Sequence, residues 1–148
     1  MPELPEVETV RRDLEQVLLG VPIIKVDVLH PKTIRPLTAV QLTKKLHGHS
    51  IKAIARIGKL LILELNGIDE VILVHLKMTG QLIYQAGAKI MAGGHSLAQP
   101  VTDLPNKHTR LSVTFKGGAQ LFFNDLRLFG YWKIVNRAEL AKIKSGYG

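Results

Sequence analysis

Short apolar segments separated by turn residues make up most of the chain, and this pattern limits the fold more than any other feature. Eight segments of four to seven residues are rich in Val, Ile, Leu and aromatic residues, which favour strands. They follow one another without regular alternation with helices, which argues against a parallel β-α-β sheet. The predicted strands are residues 23–29, 51–57, 60–65, 71–76, 81–84, 109–115, 120–123 and 131–135.

Three helices are predicted beside these strands. The first is the clearest, because apolar residues recur at helical spacing over residues 7–18 and Gly20 follows as a stop. A second helix is predicted at residues 38–46, and a third begins near Arg137. The predicted turns contain Gly67, the Gly117-Gly118 pair and Asn124-Asp125.

The spacing of these elements predicts the fold class. Residues 86–106 are rich in Gly, Ala and Pro and are predicted to form a long loop between strands. We expect residues 1–148 to form one domain with a mainly β, α+β fold. Its architecture would be a two-layer antiparallel β-sandwich, flanked by an N-terminal helix and one or two further short helices.

Composition excludes several classes of protein. With 46% hydrophobic residues the chain can bury a core, so a disordered chain is excluded. The absence of cysteine excludes disulfides and thiolate metal sites, and the histidines form no cluster at ligand spacing, so we expect no metal. Apolar runs are too short to span a membrane, and the acidic, amphipathic start differs from a signal peptide.

The charges are distributed unevenly. Five of the twelve acidic residues lie in the first fifteen positions: Glu3, Glu6, Glu8, Asp13 and Glu15. The rest of the chain is strongly basic and the net charge is +8, which suits a polyanionic partner because each phosphate contact releases counterions. The alternative is a solvated basic surface that binds nothing in particular.

The chain begins Met-Pro-Glu, which can place an amine nucleophile beside a carboxylic acid. If Met1 is removed, Pro2 becomes a secondary amine that can attack an electrophilic carbon and form an iminium ion. Glu3 is adjacent, and Glu6 follows within a helical turn, so an acid is available for proton transfer. The alternative is that Pro and Glu only start a helix, since both are favoured in a first turn.

Four later segments place basic, aromatic or flexible apolar residues close to glycine or at a strand end. The segments are Arg56-Ile57-Gly58-Lys59-Leu60-Leu61, His75-Leu76-Lys77-Met78-Thr79-Gly80, Lys107-His108-Thr109-Arg110 and Asp125-Leu126-Arg127-Leu128-Phe129-Gly130. Three of these segments also have a structural interpretation. Lys59 could be a surface lysine, His75 and Met78 could be core residues, and Phe129 could be buried in a turn beside an Asp–Arg pair.

Together with Met1-Pro2-Glu3-Leu4-Pro5-Glu6-Val7-Glu8-Thr9, these segments resemble the formamidopyrimidine-DNA glycosylase family of base-excision repair. Leu4 favours this branch over endonuclease VIII, which usually has glycine there. The resemblance implies that Pro2 is the nucleophile, Glu3 the acid, and Lys59 a proton donor in the lyase step. Glu6 would hold the pocket and the leaving base.

The resemblance also implies a set of DNA-binding residues. Met78 would fill the hole left by the extruded nucleotide, Arg127 would pair with the orphaned base, and Phe129 would wedge the neighbouring step. His108 would contact a phosphate, and His75 and Arg110 belong to the same set. Three residues depart from the family pattern: Ile57 and Leu128 replace basic residues, and Lys77 stands where glycine is frequent.

The activity implied is that of a DNA glycosylase and AP lyase, which removes 8-oxoguanine and formamidopyrimidines through a Pro2 Schiff base and β,δ-elimination. Its partner would be double-stranded DNA with oxidised bases or abasic sites. A monomer in the bacterial cytoplasm, associated with the nucleoid, is expected. Full-length members continue into a helix–two-turn–helix domain and a zinc finger, both expected to be absent here, so no cofactor is expected.

A second hypothesis is a non-catalytic DNA-binding domain, or an inactive fragment that keeps the fold. If Met1 is retained, the nitrogen of Pro2 is an amide and cannot attack. A β-sandwich that serves protein contacts is a third possibility. Salt-dependent DNA binding would distinguish the first two hypotheses from the third.

Overall fold

The computed structural model describes residues 4–94 and 103–147 of the chain. Three α-helices, nine strands and one short 3₁₀ helix lie in these ranges. They are α1 (Leu4–Leu18), β1 (Ile23–Val28), the 3₁₀ helix (Pro31–Ile34), α2 (Ala39–Leu46), β2 (Ile51–Ile57), β3 (Leu60–Leu65), β4 (Val71–His75), β5 (Gly80–Ala86), β6 (Lys89–Gly94), β7 (Thr109–Phe115), β8 (Gln120–Asp125), β9 (Tyr131–Val135) and α3 (Arg137–Tyr147).

The strands form two antiparallel sheets, which confirms the predicted mainly β sandwich with flanking helices. The five-stranded sheet has the order β1-β7-β8-β5-β6, and the four-stranded sheet has the order β2-β3-β4-β9. Their inner faces pack together through residues such as Leu63, Ile72, Leu121 and Phe123, which are at most 1% exposed. Alternating side chains on each strand therefore build one apolar core between the layers.

Helices close both open sides of this sandwich. The helix α1 contacts β6 of one sheet and β2 of the other, and buries Val7, Val10, Leu14 and Leu18. On the other side, α2 contacts β1 and the 3₁₀ helix contacts β9. The helix α2 begins with a capping box, in which Thr38 and Gln41 satisfy each other's backbone N–H groups.

A second, smaller apolar layer covers the outer face of the four-stranded sheet. Leu140 of α3 is buried there against five strand residues, Leu60, Ile62, Val71, Leu73 and Val135. Because both faces of β3 and β4 are covered, their sequences are continuously apolar instead of alternating.

Two sequence predictions are wrong. The predicted loop at residues 86–106 contains β6, which pairs with β5 from Ala86↔Lys89 to Gln81↔Gly94. The strand β6 lies at the edge of its sheet and pairs only with β5. Because this hairpin pairing holds its backbone, the strand forms without a run of β-branched residues. Asn124 and Asp125, predicted as a turn, are the last two residues of β8, where their buried side chains take part in hydrogen bonds.

Candidate functional site

Strand register brings four connections of the chain to one end of the sandwich. In the four-stranded sheet, Leu60 pairs with His75, and His75 pairs with Tyr131. In the five-stranded sheet, Gly80 pairs with Asp125, and β8 and β7 pair there as well. The connections at residues 58–59, 76–79, 106–108 and 126–130 therefore lie together, and we call this group the site end.

Asp125 organises the site end from inside. It is 1% exposed, and its Oδ2 accepts a hydrogen bond from the backbone N of Gly130 at 2.7 Å. Its Oδ1 accepts the hydroxyl of Thr79 and the backbone N of Arg127, the latter at 3.3 Å. Oγ1 of Thr79 also accepts the N–H of Arg127 at 3.0 Å. One buried carboxylate thus joins the 76–79 connection to the 126–130 connection.

Gly130 is fixed at its position by close packing. A Cβ atom there would lie 2.7 Å from Cζ of Phe123, 2.8 Å from the carbonyl oxygen of His75 and 2.9 Å from Oδ2 of Asp125. Such distances are below van der Waals contact, so any side chain would force the 126–130 connection away from β4.

Large apolar side chains and one arginine project from these two connections. Met78 is 42% exposed, Phe129 is 52% exposed and Leu126 is 60% exposed. Arg127 between them is also exposed, although its backbone N–H is bonded. The interpretations that Met78 is a core residue and that Phe129 is buried in a turn are therefore wrong. Exposed apolar side chains on a loop that is held by hydrogen bonds can bind an apolar surface of another molecule.

His75 ends β4 and is half-buried. Its Nδ1 accepts the backbone N–H of Lys77 at 3.0 Å, and its ring lies 5.7 Å from that of Tyr131. Burial lowers the pKa of His75, and the ammonium groups of Lys77 and Lys59 lower it further. Because Nδ1 accepts this hydrogen bond, the proton of the neutral imidazole lies on Nε2, where it can donate a hydrogen bond.

His108 and Arg110 connect the start of β7 to the same place. The backbone N of His108 donates to Oδ1 of Asn106 at 2.9 Å, and its carbonyl accepts the N–H of Asp125 at 3.0 Å. Nε of Arg110 donates to the carbonyl of Asp125 at 2.9 Å. Nη1 of Arg110 donates to the carbonyl of Lys107 at 3.4 Å. Arg110 thus braces the end of β8, and its predicted contact with DNA would be made by Nη2.

Glu8 joins the first turns of α1 to Arg56 of β2, next to the 58–59 connection of the site end. This carboxylate pairs with Arg11 at 2.8 Å, Arg12 at 2.9 Å and Arg56 of β2 at 2.8 Å. Hydrogen bonds from Arg11 and Arg56 hold the pKa of Glu8 far below its usual range. Neither Glu8 nor Arg56 was predicted as a site residue, although spacings of three and four residues from Glu8 to the two arginines of α1 are a recognisable signal.

The structure describes two of the four predicted catalytic residues. Glu6 lies in the first turn of α1, and Lys59 lies in the β2–β3 turn; both are partly buried. Pro2 and Glu3 lie outside the described residues.

No three His, Asp or Glu side chains in the described part of the chain are grouped as metal ligands. None of the helices in that part is long and apolar enough to cross a bilayer.

Several known proteins are similar to this chain. A family model described as the formamidopyrimidine-DNA glycosylase N-terminal domain matches residues 1–132. The formamidopyrimidine-DNA glycosylase of Dinoroseobacter shibae is 38% identical over 140 residues, which is 95% of this chain and 47% of that protein. The enzyme of the same name from Lactococcus lactis subsp. cremoris is 40% identical over 92% of this chain and 44% of its own length.

Solved structures show the same likeness. The Lactococcus lactis Fpg in complex with DNA containing an abasic site has a TM-score of 0.76 and 33% identity, and covers 97% of this chain and 48% of that one. A complex of the LlFpg protein with THF-DNA and an inhibitor gives 0.77 and 34%, over 98% of this chain and 47% of that one. The chain spans about half the length of the curated relatives it matches. The chain belongs to the formamidopyrimidine-DNA glycosylase family.

Proposed function

We propose that this chain carries the catalytic residues and part of the DNA-binding surface of a base-excision repair glycosylase with AP lyase activity. Its substrates would be oxidised purines, 8-oxoguanine and formamidopyrimidines, in double-stranded DNA. The observation that carries the proposal is the site end itself, where four separate sequence segments meet and expose Met78, Arg127 and Phe129. Membership of the family supports the same conclusion.

The exposed residues suit an extruded nucleotide. Unstacking a base leaves an apolar gap, which the side chains of Met78 and Phe129 can fill without needing polar partners. Arg127 presents a planar fork of donors to the base left without its pair. The braced loops reduce the entropy lost on binding, because the bond between Asp125 and Thr79 already orders both connections.

Basic and imidazole groups around this end suit the phosphates. Lys59 and Lys77 both act electrostatically on His75, so three potential donors lie close together. His108 and Arg110 approach from β7. The solved structures of Lactococcus lactis relatives were obtained with DNA that contains abasic sites, THF or oxidised bases, which supports DNA as the partner here.

The chemistry would start from Pro2 after removal of Met1. Its secondary amine would attack C1′ and form an N–C1′ bond, while the glycosidic bond breaks and the base leaves with a proton supplied through Glu3. Glu6 would hold the leaving base. The C1′–O4′ bond would then break, with the ring oxygen taking the proton that the Pro2 nitrogen gives up, which leaves an iminium ion between Pro2 and C1′. This iminium acidifies C2′, so loss of a proton there expels the 3′ phosphate. A second elimination expels the 5′ phosphate, with Lys59 assisting as a proton donor.

Borohydride trapping on abasic-site DNA tests the proposal. Intact mass first establishes that Met1 has been removed. We expect a covalent adduct with the processed chain and none when an extra residue precedes Pro2. Pro2→Gly and Glu3→Gln should reduce the adduct strongly. Pro5→Gly is the matched control, because it changes an exposed proline of the same segment and should leave trapping intact.

Two outcomes would contradict the catalytic assignment. One is an adduct that survives Pro2→Gly and Glu3→Gln unchanged, and the other is an adduct formed with the amino terminus blocked. Salt-dependent binding to DNA without any adduct would instead favour the non-catalytic domain.

A further inference from the structure

Arg56 links the helix α1 to the turn that carries Lys59. Its Nε donates to Oε1 of Glu8 at 2.8 Å, and its Nη1 donates to the carbonyl oxygen of Gly58 at 3.3 Å. The two acceptors lie 50 residues apart in sequence. A guanidinium can hold both because its donors point in fixed, different directions, which a lysine ammonium on a flexible stem cannot reproduce.

Arg11 supplies a second connection between the same elements. Its Nε and Nη2 donate to the two carboxylate oxygens of Glu8 at 2.9 and 2.8 Å, a bidentate arrangement. Its Nη1 donates to the carbonyl of Ile54 in β2 at 3.2 Å. Glu8 is therefore the anion that keeps two arginines, one from the helix and one from the strand, in a single arrangement.

The ion pairs of Glu8 are less exposed to solvent than an ordinary surface ion pair. The side chains of Glu8, Arg11 and Arg56 are only 21–28% exposed, and one carboxylate faces three guanidinium groups. Loss of that negative charge would leave the arginines mutually repelling. Gly58 has a φ of 57°, a left-handed conformation that glycine adopts without strain. The hydrogen bond from Arg56 to its carbonyl oxygen helps to hold the turn in this shape.

We propose that Glu8 and Arg56 are positioning residues that fix the place of the Lys59 turn relative to the start of α1. The inference rests on the proposed function, since Pro2 and Glu3 directly precede α1 and Lys59 would act in the same reaction. Neither Glu8 nor Arg56 contacts the substrate. Their effect is on the geometry between two groups that must reach one sugar, where small misplacements lower rates strongly.

Glu8→Gln tests the inference, with Glu15→Gln as its matched control. The control makes the same chemical change on the same helix and removes another partner of Arg11, but Glu15 has no contact with Arg56. For Glu8→Gln we expect the single-turnover trapping rate at saturating abasic-site DNA, per folded molecule, to fall by about 10-fold. The Kd for the same DNA should change less than about 2-fold.

Arg56→Lys adds a conservative variant. It keeps the charge but cannot bond Glu8 and Gly58 together, so its trapping rate should fall as far as that of Glu8→Gln. The double variant should lose little more than either single one, because both changes break the same connection. Additive losses, or a rate equal to that of Glu15→Gln, would overturn the positioning role.

Amide hydrogen exchange gives a readout that is independent of activity. Glu8→Gln should accelerate exchange at Gly58 and Lys59, while Glu15→Gln should not. Unchanged exchange in Glu8→Gln overturns the inference. If the wild-type chain gives no adduct at all but Glu8→Gln loosens the turn, the proposed function fails and the mechanical connection stands. Global loss of stability without a change in trapping per folded molecule would show that Glu8 is structural only.

Discussion

The chain turns between strands at both ends of the sandwich, but the residues that adopt a positive φ there differ between the two ends. Opposite the site end lies what we call the turn end, formed by residues 19–22, 47–50, 66–70, 87–88 and 116–119. Six glycines with positive φ lie there: Gly20, Gly48, Gly67, Gly87, Gly117 and Gly118. At the site end, Lys77 and Leu128 adopt φ of 52° and 61°, and only Gly58 is a glycine with positive φ.

The difference shows where side chains are needed. A left-handed conformation costs an L-residue roughly 1–2 kcal/mol, and glycine avoids this cost. The turn end uses glycine and only closes the chain. The site end accepts the cost at two positions beside the exposed Met78 and Phe129, which is where strain and function are expected to coincide.

Removing the buried carboxylate should give the largest effect and break the site end selectively. Asp125→Ala leaves the hydroxyl of Thr79 and the N–H groups of Arg127 and Gly130 without their acceptor. We expect the free energy of unfolding to fall by about 3 kcal/mol, measured by urea denaturation. Asp69→Ala, an exposed change at the turn end, should cost less than about 0.5 kcal/mol. Equal losses would mean that the ends do not differ in this way.

Two substitutions that exchange residue types between the ends should change stability by smaller amounts and in opposite directions. Gly117→Lys puts a side chain into open space but at a φ of 95°, so it should cost about 1–2 kcal/mol. Lys77→Gly should raise stability by about 0.5 kcal/mol, because relief of the left-handed strain exceeds the extra entropy of the unfolded chain. Thermal unfolding of both variants beside the wild type measures this. A destabilised Lys77→Gly would show that the interactions of the Lys77 side chain outweigh its strain.

The smallest expected effect is a pH dependence at the site end. Because the pKa of His75 is lower in the folded protein than its ordinary value of about 6.5, the unfolded chain binds the proton more readily. The contribution of neutral His75 is fully present above that value and is lost as pH falls towards the folded pKa. Urea denaturation between about pH 7 and pH 5 should show stability falling, and His75→Gln should reduce the slope. An unchanged slope in His75→Gln would contradict the shift.

Local sequence signals predicted most of the fold. The apolar spacing of residues 7–18 predicted α1, and residues 51–57, 60–65, 109–115 and 131–135 became strands with those bounds. Each of these segments is held by its own pattern of buried side chains. The strand β6 escaped prediction because its six residues depend on pairing with β5, a partner that composition does not reveal.

The candidate site was predictable only in part. Family motifs selected Met78, Arg127 and Phe129, and the structure places all three at the site end as exposed groups. The bonds that support them were not visible in the sequence, since Asp125 meets Thr79 only after β5 and β8 pair. The contact between Glu8 and Arg56 likewise joins residues that are 48 positions apart.

The closure of the sandwich by helices has a consequence for how the domain behaves among its own copies. Each of the four outermost strands is accompanied by a helical segment: β2 and β6 by α1, β1 by α2, and β9 by the 3₁₀ helix. Unpaired strand margins are the usual starting points for intermolecular β-sheet growth. A change that detaches α1 would therefore uncover two such margins at once, and self-association would accompany the loss of the amino-terminal geometry.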